Sequence, residues 1–392
     1  MINRPAIGGP ILNATLLARH LPTPFDTLLV MGACESHEAK ATEFLDDLRW
    51  KQISSMRRAL HPFKDITSYQ VLRKIIREYR PHIVHTHTSK PGALGRLAAY
   101  AEGVPVVVHT FHGHVFHSYF NPIKSKMFQG IERFLANKSD AIITISPEQK
   151  DELVTRFKIA SSDKFQIIPL GFDLNKFTTD QSTKRTKFRS ELGVGEETVV
   201  IALIGRLVPI KNHGFFLESF CALKTMTKKK LLAVFVGDGE SRREIEAKAS
   251  KFGIAFAQLG EQNTNTELIL TSWRSDIDVV NAGSDIIALS SFNEGTPVSL
   301  IEALASNRPV ISTNVGGVQS VVEHEFSGFL VEKFDLFEYA NYLRMLVEST
   351  ELRLKMGNEG QKRIFAKYSY QRMVKETMNL YINLLSSKHI YL

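Results

Sequence analysis

Glu294 and Glu302 bracket the segment Phe292-Asn293-Glu294-Gly295-Thr296-Pro297-Val298-Ser299-Leu300-Ile301-Glu302-Ala303, with seven residues between them. The pattern predicts a loop carrying Glu294, a helix opened by Thr296 and Pro297, and Glu302 more than a turn inside that helix. The amides of residues 295–299 are then free to donate to anionic oxygens, because the first turn of a helix has no carbonyls ahead of it. One carboxylate at the helix mouth and one further in would each accept from hydroxyl groups, as a sugar and a ribose present them. Two earlier turns have matching chemistry. Gly205-Arg206-Leu207 follows an apolar run and precedes a helix near Asn212, with Lys211 just ahead of it. Two cations at a helix N-terminus suit a diphosphate. Gly237-Asp238-Gly239-Glu240 ends another apolar run, where glycine would let the backbone approach a ligand closely. Either turn alone fits a solvated loop. The three in this order point to an activated sugar held through its diphosphate.

Other clusters have blander explanations. His109, His112, His114 and His117 fall within nine residues, but no carboxylate or thiolate stands at a zinc-ligand spacing beside them, so no metal site is expected. Asp276-Ile277-Asp278 spells an acidic triplet that could hold a divalent ion; at a predicted helix start, N-capping and a dipole-matched charge explain it. Cys34 and Cys221, the two cysteines, are too far apart in sequence and context to suggest a disulfide framework, and a reducing cytosol is expected.

The elements that must position these groups are legible as alternation. Short Val- and Ile-rich runs near 26–31, 82–86, 105–110, 140–145 and 165–168, then 198–204, 231–236, 254–259, 285–290 and 309–312, are separated by amphipathic helical patterns, which predicts parallel sheets of βαβ units. After Ile145, Ser146, Pro147 and Gln149 predict an N-cap, a first helical residue and a capping box. The polar stretch from Asn175 to Glu197 is aperiodic and reads as an interdomain linker. The 392 residues suit two α/β domains, predicted over 1–180 and 190–365, with C-terminal helices over 366–392 packing back towards the first domain.

A composition of 43% hydrophobic and 23% charged residues is that of a globular protein. No apolar run approaches the roughly 20 residues of a membrane helix, and no signal peptide is visible. Residues 1–170 hold 22 Lys and Arg against 15 Asp and Glu, nearly all of the net charge of +8. Such asymmetry fits a phosphate-bearing acceptor or an anionic membrane surface as well as ordinary solvated helices. The basic residues lack interleaved aromatics on a recognisable module, so nucleic acid is not expected as a partner.

With these motifs in place, the sequence resembles glycosyltransferase family 4, retaining enzymes of the two-domain GT-B fold, over nearly its whole length. The family's glycine-rich N-terminal loop matches Gly8-Gly9-Pro10, its histidine after a central strand matches Thr110-Phe111-His112-Gly113, and its paired glutamates match Glu294 and Glu302. The resemblance implies two Rossmann-like domains facing across a cleft. It implies that Arg206 and Lys211 hold the diphosphate, that Glu302 meets the ribose and Glu294 the transferred sugar, and that Gly295, Thr296, Pro297, Val298 and Ser299 complete the phosphate cradle. Gly9, Gly205 and Gly237 would line the donor, and Trp273 and Arg274 would contact the base. His112 would hydrogen-bond a donor hydroxyl, with His114 an alternative.

The stretch from His85 to Gly92 resembles one in members that build bacterial surface polysaccharides, placing His87, Lys90 and His114 on the acceptor side. The expected reaction is retaining and metal-independent, needs no cofactor, and uses a nucleotide sugar, UDP by default with GDP open. The acceptor would be a glycan or a lipid-linked sugar, and the location the cytoplasm, extending to the inner face of the membrane. An epimerase on the same fold and a nucleotide-sugar-binding protein without turnover are the competing readings. One departure stands out: family members have a strand before the glycine-rich loop, and only Met1 to Ile7, including Pro5, precedes Gly8 here. Loss of a central strand would leave buried backbone groups unpaired at roughly 1–3 kcal/mol each, so an earlier natural start, or else a compromised N-terminal domain, is expected.

Overall fold

The computed structural model describes residues 1–3, 9–34, 45–57, 59, 61–112 and 122–391, the side chains of 122–124 excepted. His114, Gly8 and His117 lie outside the described residues. The chain forms two compact units, Met1–Phe172 with Tyr368–Leu392, and Asp173–Lys367.

In chain order the first unit contains α1 (Gly9–His20), β1 (Leu29–Gly32), β2 (Trp50–Ile53), α2 (Pro62–Tyr79), β3 (Ile83–His87), α3 (Ser89–Ala101), β4 (Val106–Phe111), α4 (Pro122–Asn137), β5 (Ala141–Thr144), α5 (Pro147–Asp151) and β6 (Phe165–Ile167). β3-β4-β5-β6 form one parallel sheet and β1-β2 a parallel pair. Met1 to Asn3 lie between them. The Ile2 amide donates to Val30 O at 2.9 Å, and the His87 amide donates to Met1 O at 2.9 Å. Three residues thus occupy the central position whose strand the sequence lacked. The capping box after Ile145 is present: Ser146 Oγ accepts from the Gln149 amide at 3.2 Å, and Gln149 Oε1 accepts from the Ile145 amide at 3.0 Å.

The second unit begins with α6 (Gln181–Leu192), followed by β7 (Thr198–Ile204), α7 (His213–Met226), β8 (Lys230–Val236), α8 (Arg242–Lys251), β9 (Phe256–Gln258), β10 (Leu268–Leu270), α9 (Ile277–Gly283), β11 (Ile286–Leu289), α10 (Val298–Ala305), β12 (Val310–Thr313), β13 (Gly328–Val331), α11 (Leu336–Glu348) and α12 (Thr350–Tyr368). Its seven strands run parallel in the order β13-β12-β11-β7-β8-β10-β9. β11 and β7 adjoin where that order reverses, the kind of point at which open α/β sheets receive ligands. The core is a continuous cluster including Ile201, Phe216, Phe235, Ala288 and Tyr339.

Asn175–Glu197 is not an irregular linker. It contains α6, whose Phe188, Arg189 and Leu192 are buried; one of its three anchors is an arginine, so hydrophobic periodicity does not reveal it. The chain passes between units at Phe172 and Asp173, ahead of the expected boundary at 180. After α12, α13 (Tyr370–Ser387) belongs to the first unit, where Met373, Val374, Tyr381 and Leu385 pack against Leu17, Val106, Val108 and Ile143.

Candidate active site

The sugar-nucleotide chemistry expected of the sequence converges at the C-terminal ends of β7 and β11. After β7 the chain turns at Gly205 and runs through Arg206 to a short 3-10 turn, Pro209–Lys211, before α7. Ser290 Oγ donates to Lys211 O at 3.0 Å and fixes that turn against the end of β11. Lys211 Nζ reaches Glu294 Oε1 at 2.6 Å, and Ser291 Oγ donates to the same oxygen at 2.5 Å. The two charges are largely shielded, with side-chain exposures of 22% for Lys211 and 11% for Glu294. Arg206 is exposed and makes no ion pair among the described residues. One cation is thus fixed beside a carboxylate, and a second is free to meet an anion.

α10 starts at Val298, one residue later than expected, with Pro297 in the cap position and no side-chain cap. Its first amides lack helical acceptors, as an anion site requires. Glu302, on its second turn, accepts no hydrogen bond from a described side chain. Burial pushes its pKa up to about 7, with Lys176 opposing and Asp278 reinforcing the shift. Glu302 in the free protein is therefore half protonated near neutrality. In the folded chain it keeps its proton to about pH 7, against an ordinary 4.5. Between those values the folded state binds more protons, so this group's contribution to stability falls as pH rises. If the carboxylate accepts from ribose hydroxyls, affinity for a nucleotide sugar should rise as pH rises through 7, by up to about tenfold per unit. Calorimetry with a UDP-sugar, whose diphosphate diester does not titrate in this range, checks this. Glu302→Gln should flatten the profile.

Several assignments change. Backbone crossing by itself requires glycine at 237 and 239: a Cβ on Gly237 would lie 2.1 Å from Gly205 O, and one on Gly239 2.3 Å from Leu207 O. These glycines let the turns after β7 and β8 pass each other, locked by Leu207 N donating to Asp238 O at 3.0 Å. The Arg274 guanidinium, expected at a base, is instead held by Asp276 at 2.7 Å and Glu191 at 2.7 Å, while Trp273 is 64% exposed. Asp276 stands at the N-cap of α9 without a capping bond, because its carboxylate faces Arg274; Asp278 pairs with Lys184 at 2.9 Å. Sequence reasoning missed Gly316 and Gly317. A Cβ on either would fall 2.0 Å and 2.2 Å from the carbonyls of Glu294 and Gly295, respectively, and Gly317 N donates to Glu294 O at 3.1 Å. A glycine pair separated by two residues from the end of β12 was the available signal, and it reads equally as an ordinary turn. Ser299 and Thr296 flank the mouth of α10 without a side-chain bond among the described residues.

In the first unit, His112 follows β4 and its Nε2 lies 2.9 Å from His87 Nδ1. Burial holds both rings neutral, pushing His112 down to about 4 and His87 well below its ordinary value. His85 lies against His87, ring centroids 4.2 Å apart and tilted by 31°, and bridges Tyr381 Oη at 2.5 Å and Thr110 Oγ1 at 2.7 Å. His109 turns to Thr86 Oγ1 at 2.9 Å, so it belongs to the core. Lys90 is not free for an acceptor, since its ammonium is held by Asp65 at 2.7 Å. Gly9 opens α1 with nothing within 4 Å of a notional Cβ. Among the described residues no group of His, Cys, Asp and Glu converges as a metal site.

The profile described as glycosyl transferases group 1 matches residues 184–363, and that of Glycosyltransferase Family 4 matches residues 14–176. The UDP-Gal:alpha-D-GlcNAc-diphosphoundecaprenol alpha-1,3-galactosyltransferase of Escherichia coli is 31% identical over 88% of this chain and 87% of its own length. The chain belongs to glycosyltransferase family 4. This glycosyltransferase is also 26% identical to the capsular polysaccharide biosynthesis protein CapM of Staphylococcus aureus, over 83% of each chain. Among solved structures, the Anabaena protein HepE in complex with UDP matches with a TM-score of 0.79 over 98% of each chain at 18% identity. A Rickettsia africae glycosyltransferase matches with a TM-score of 0.79 at 20% identity, covering 98% of this chain and 97% of its own. The fold of the transferase is GT-B.

Proposed function

We propose that the transferase moves a sugar from a UDP-sugar to a lipid-linked glycan acceptor in the assembly of a bacterial surface polysaccharide, retaining the anomeric configuration and using no metal ion. The observation that carries this reading is the junction of β7 and β11, where exposed Arg206, the Lys211–Glu294 pair at 2.6 Å and the first amides of α10 surround one end of the sheet. The donor and acceptor classes are supported by the Escherichia coli relative, whose name gives a UDP-galactose donor and a diphosphoundecaprenol-linked acceptor; HepE was solved with UDP.

In the reaction, the bond between the anomeric carbon and the diphosphate breaks with its electron pair leaving on the diphosphate. Arg206 and Lys211 neutralise that charge, and fixed amides stabilise it without reorganising. Glu294 accepts from hydroxyls of the sugar, and Glu302 from those of the ribose. The acceptor hydroxyl forms the new bond on the face the diphosphate leaves, and its proton passes to the departing phosphate. Neutral His112, paired with His87 in the first unit, can hydrogen-bond a sugar hydroxyl.

Incubation with a panel of UDP-sugars and a polyprenyl-diphosphate-linked N-acetylglucosamine, with and without a chelator, tests the proposal. Mass spectrometry should show one added sugar, NMR an unchanged anomeric configuration, and the chelator no effect. Conversion of the donor to an epimer in the absence of acceptor would replace this reading with the isomerase one.

A further inference from the structure

α4 faces the wrong way for a purely structural helix. Its inner side is fixed: Glu132 is buried and pairs with fully buried Arg96 at 2.7 Å, while Leu135 and Ala136 enter the core. The helix cannot roll without breaking that ion pair. Its outer side carries Met127, Ile131 and Phe134, spaced so that they fall on one stripe, with exposures of 54%, 41% and 54%. Tyr100 of α3, 57% exposed, extends the stripe, and Lys138 Nζ lies 3.7 Å above its ring and 5.6 Å from that of Phe134. Lys126 and Arg133 are exposed alongside, whereas the helix's one acid, Glu132, points inward. Isolated exposed apolar side chains need no explanation. An apolar ridge flanked by cations, on a helix whose one acid points inward, matches the two layers of an anionic bilayer surface, headgroups for the cations and acyl boundary for the apolar groups.

We propose that the ridge formed by Met127, Ile131, Phe134 and Tyr100, with Lys126 and Lys138, is the surface by which the transferase sits on an anionic membrane. The lysine stems lie along the apolar groups while their ammonium heads reach the phosphates. Phe134 and Tyr100 supply the aromatic contacts suited to an interface. The surface deepens the lipid-linked acceptor reading by giving the enzyme a means of staying where such an acceptor resides, yet its test requires neither donor nor acceptor.

The full chain is mixed with vesicles of phosphatidylcholine alone and of phosphatidylcholine with an equal part of phosphatidylglycerol, at low and high salt, and the bound fraction is measured by sedimentation. Binding should require the anionic lipid and fall with salt. The pair Lys126→Glu with Lys138→Glu should lose at least about twenty-fold in partitioning, at roughly fivefold per basic residue. The triple Met127→Ser, Ile131→Ser, Phe134→Ser should lose on the order of a hundredfold. Met127, Ile131 and Phe134 are exposed, so the unfolding midpoint of the triple variant should hold. Failure of the parent chain to bind anionic vesicles at low salt, or equal binding by both variants, would overturn the proposal. So would concentration-dependent dimerisation that the triple variant abolishes while vesicle binding is absent, which would assign the ridge to a second copy. Transfer to a soluble acceptor should be the same in parent and variants, which separates loss of the membrane surface from failure of the transferase reading.

Discussion

Replacing Lys211 with alanine should lower the rate of sugar transfer by about a hundred- to a thousandfold, the usual cost of removing one preorganised group from a developing negative charge. The argument rests on geometry. Ser290 Oγ donates to the Lys211 carbonyl at the end of a short turn and Glu294 holds the ammonium, so the ammonium needs little reordering when charge develops on the leaving diphosphate. The substitution also leaves Glu294 with Ser291 as its remaining described partner, a half-buried carboxylate short of a counter-charge. Steady-state kinetics should show most of the loss in kcat, because the interaction strengthens as the bond to the sugar breaks. A loss confined to KM would mean that Lys211 binds donor and transition state alike.

The second large effect is on stability. Asp285, just before β11, accepts from Arg189 at 3.1 Å, from Arg185 at 3.0 Å and from the Val200 amide at 2.8 Å. Arg189 is almost fully buried, with a side-chain exposure of 3%, and it also donates to the carbonyls of Gly283 and Thr198. The network ties β7 to β11 at the end opposite the site, so it sets the spacing of the strands that carry Lys211 and Glu294. Asp285→Ala would leave the buried Arg189 guanidinium with only the exposed Glu196, at 3.4 Å, as a counter-charge and should cost about 3 kcal/mol, a large share of the roughly 5–15 kcal/mol that holds a domain folded. Hydrogen exchange should show β7 and β11 amides losing protection, with those of β3 and β4 unchanged. Asp285→Asn, which keeps an acceptor for the Val200 amide, should lose less. Unaltered protection in the alanine variant would show that the arginines find other partners.

The sequence announced the features that depend on one residue type at one spacing. The strands β7, β8 and β11 are apolar runs, and Glu294 in the loop ahead of α10 and Glu302 within it stand at a fixed interval. Features that depend on the company a residue keeps were not announced. β2 is an edge strand with Trp50, Lys51 and Gln52 exposed, so no apolar alternation marks it. β13 begins at Gly328, whose missing Cβ admits Val310 O, and glycine there reads as a turn. Arg274 and Lys90 look like free cations until Asp276, Glu191 and Asp65 are seen to hold them. Gly237 and Gly317 have the same cause in structure, two backbones crossing without room for a side chain. The sequence marks them as glycines and says nothing of what crosses them. The pairing of His87 with His112 joins the last residue of β3 to the residue after β4, and only the register of those strands brings them together.

Isothermal titration of the full chain with UDP tests most directly whether the second unit grips a nucleotide diphosphate. The account predicts one binding event per chain, weakened about tenfold or more when Arg206 and Lys211 are both changed to alanine. No heat at millimolar UDP, or an affinity indifferent to the loss of both cations, would contradict it.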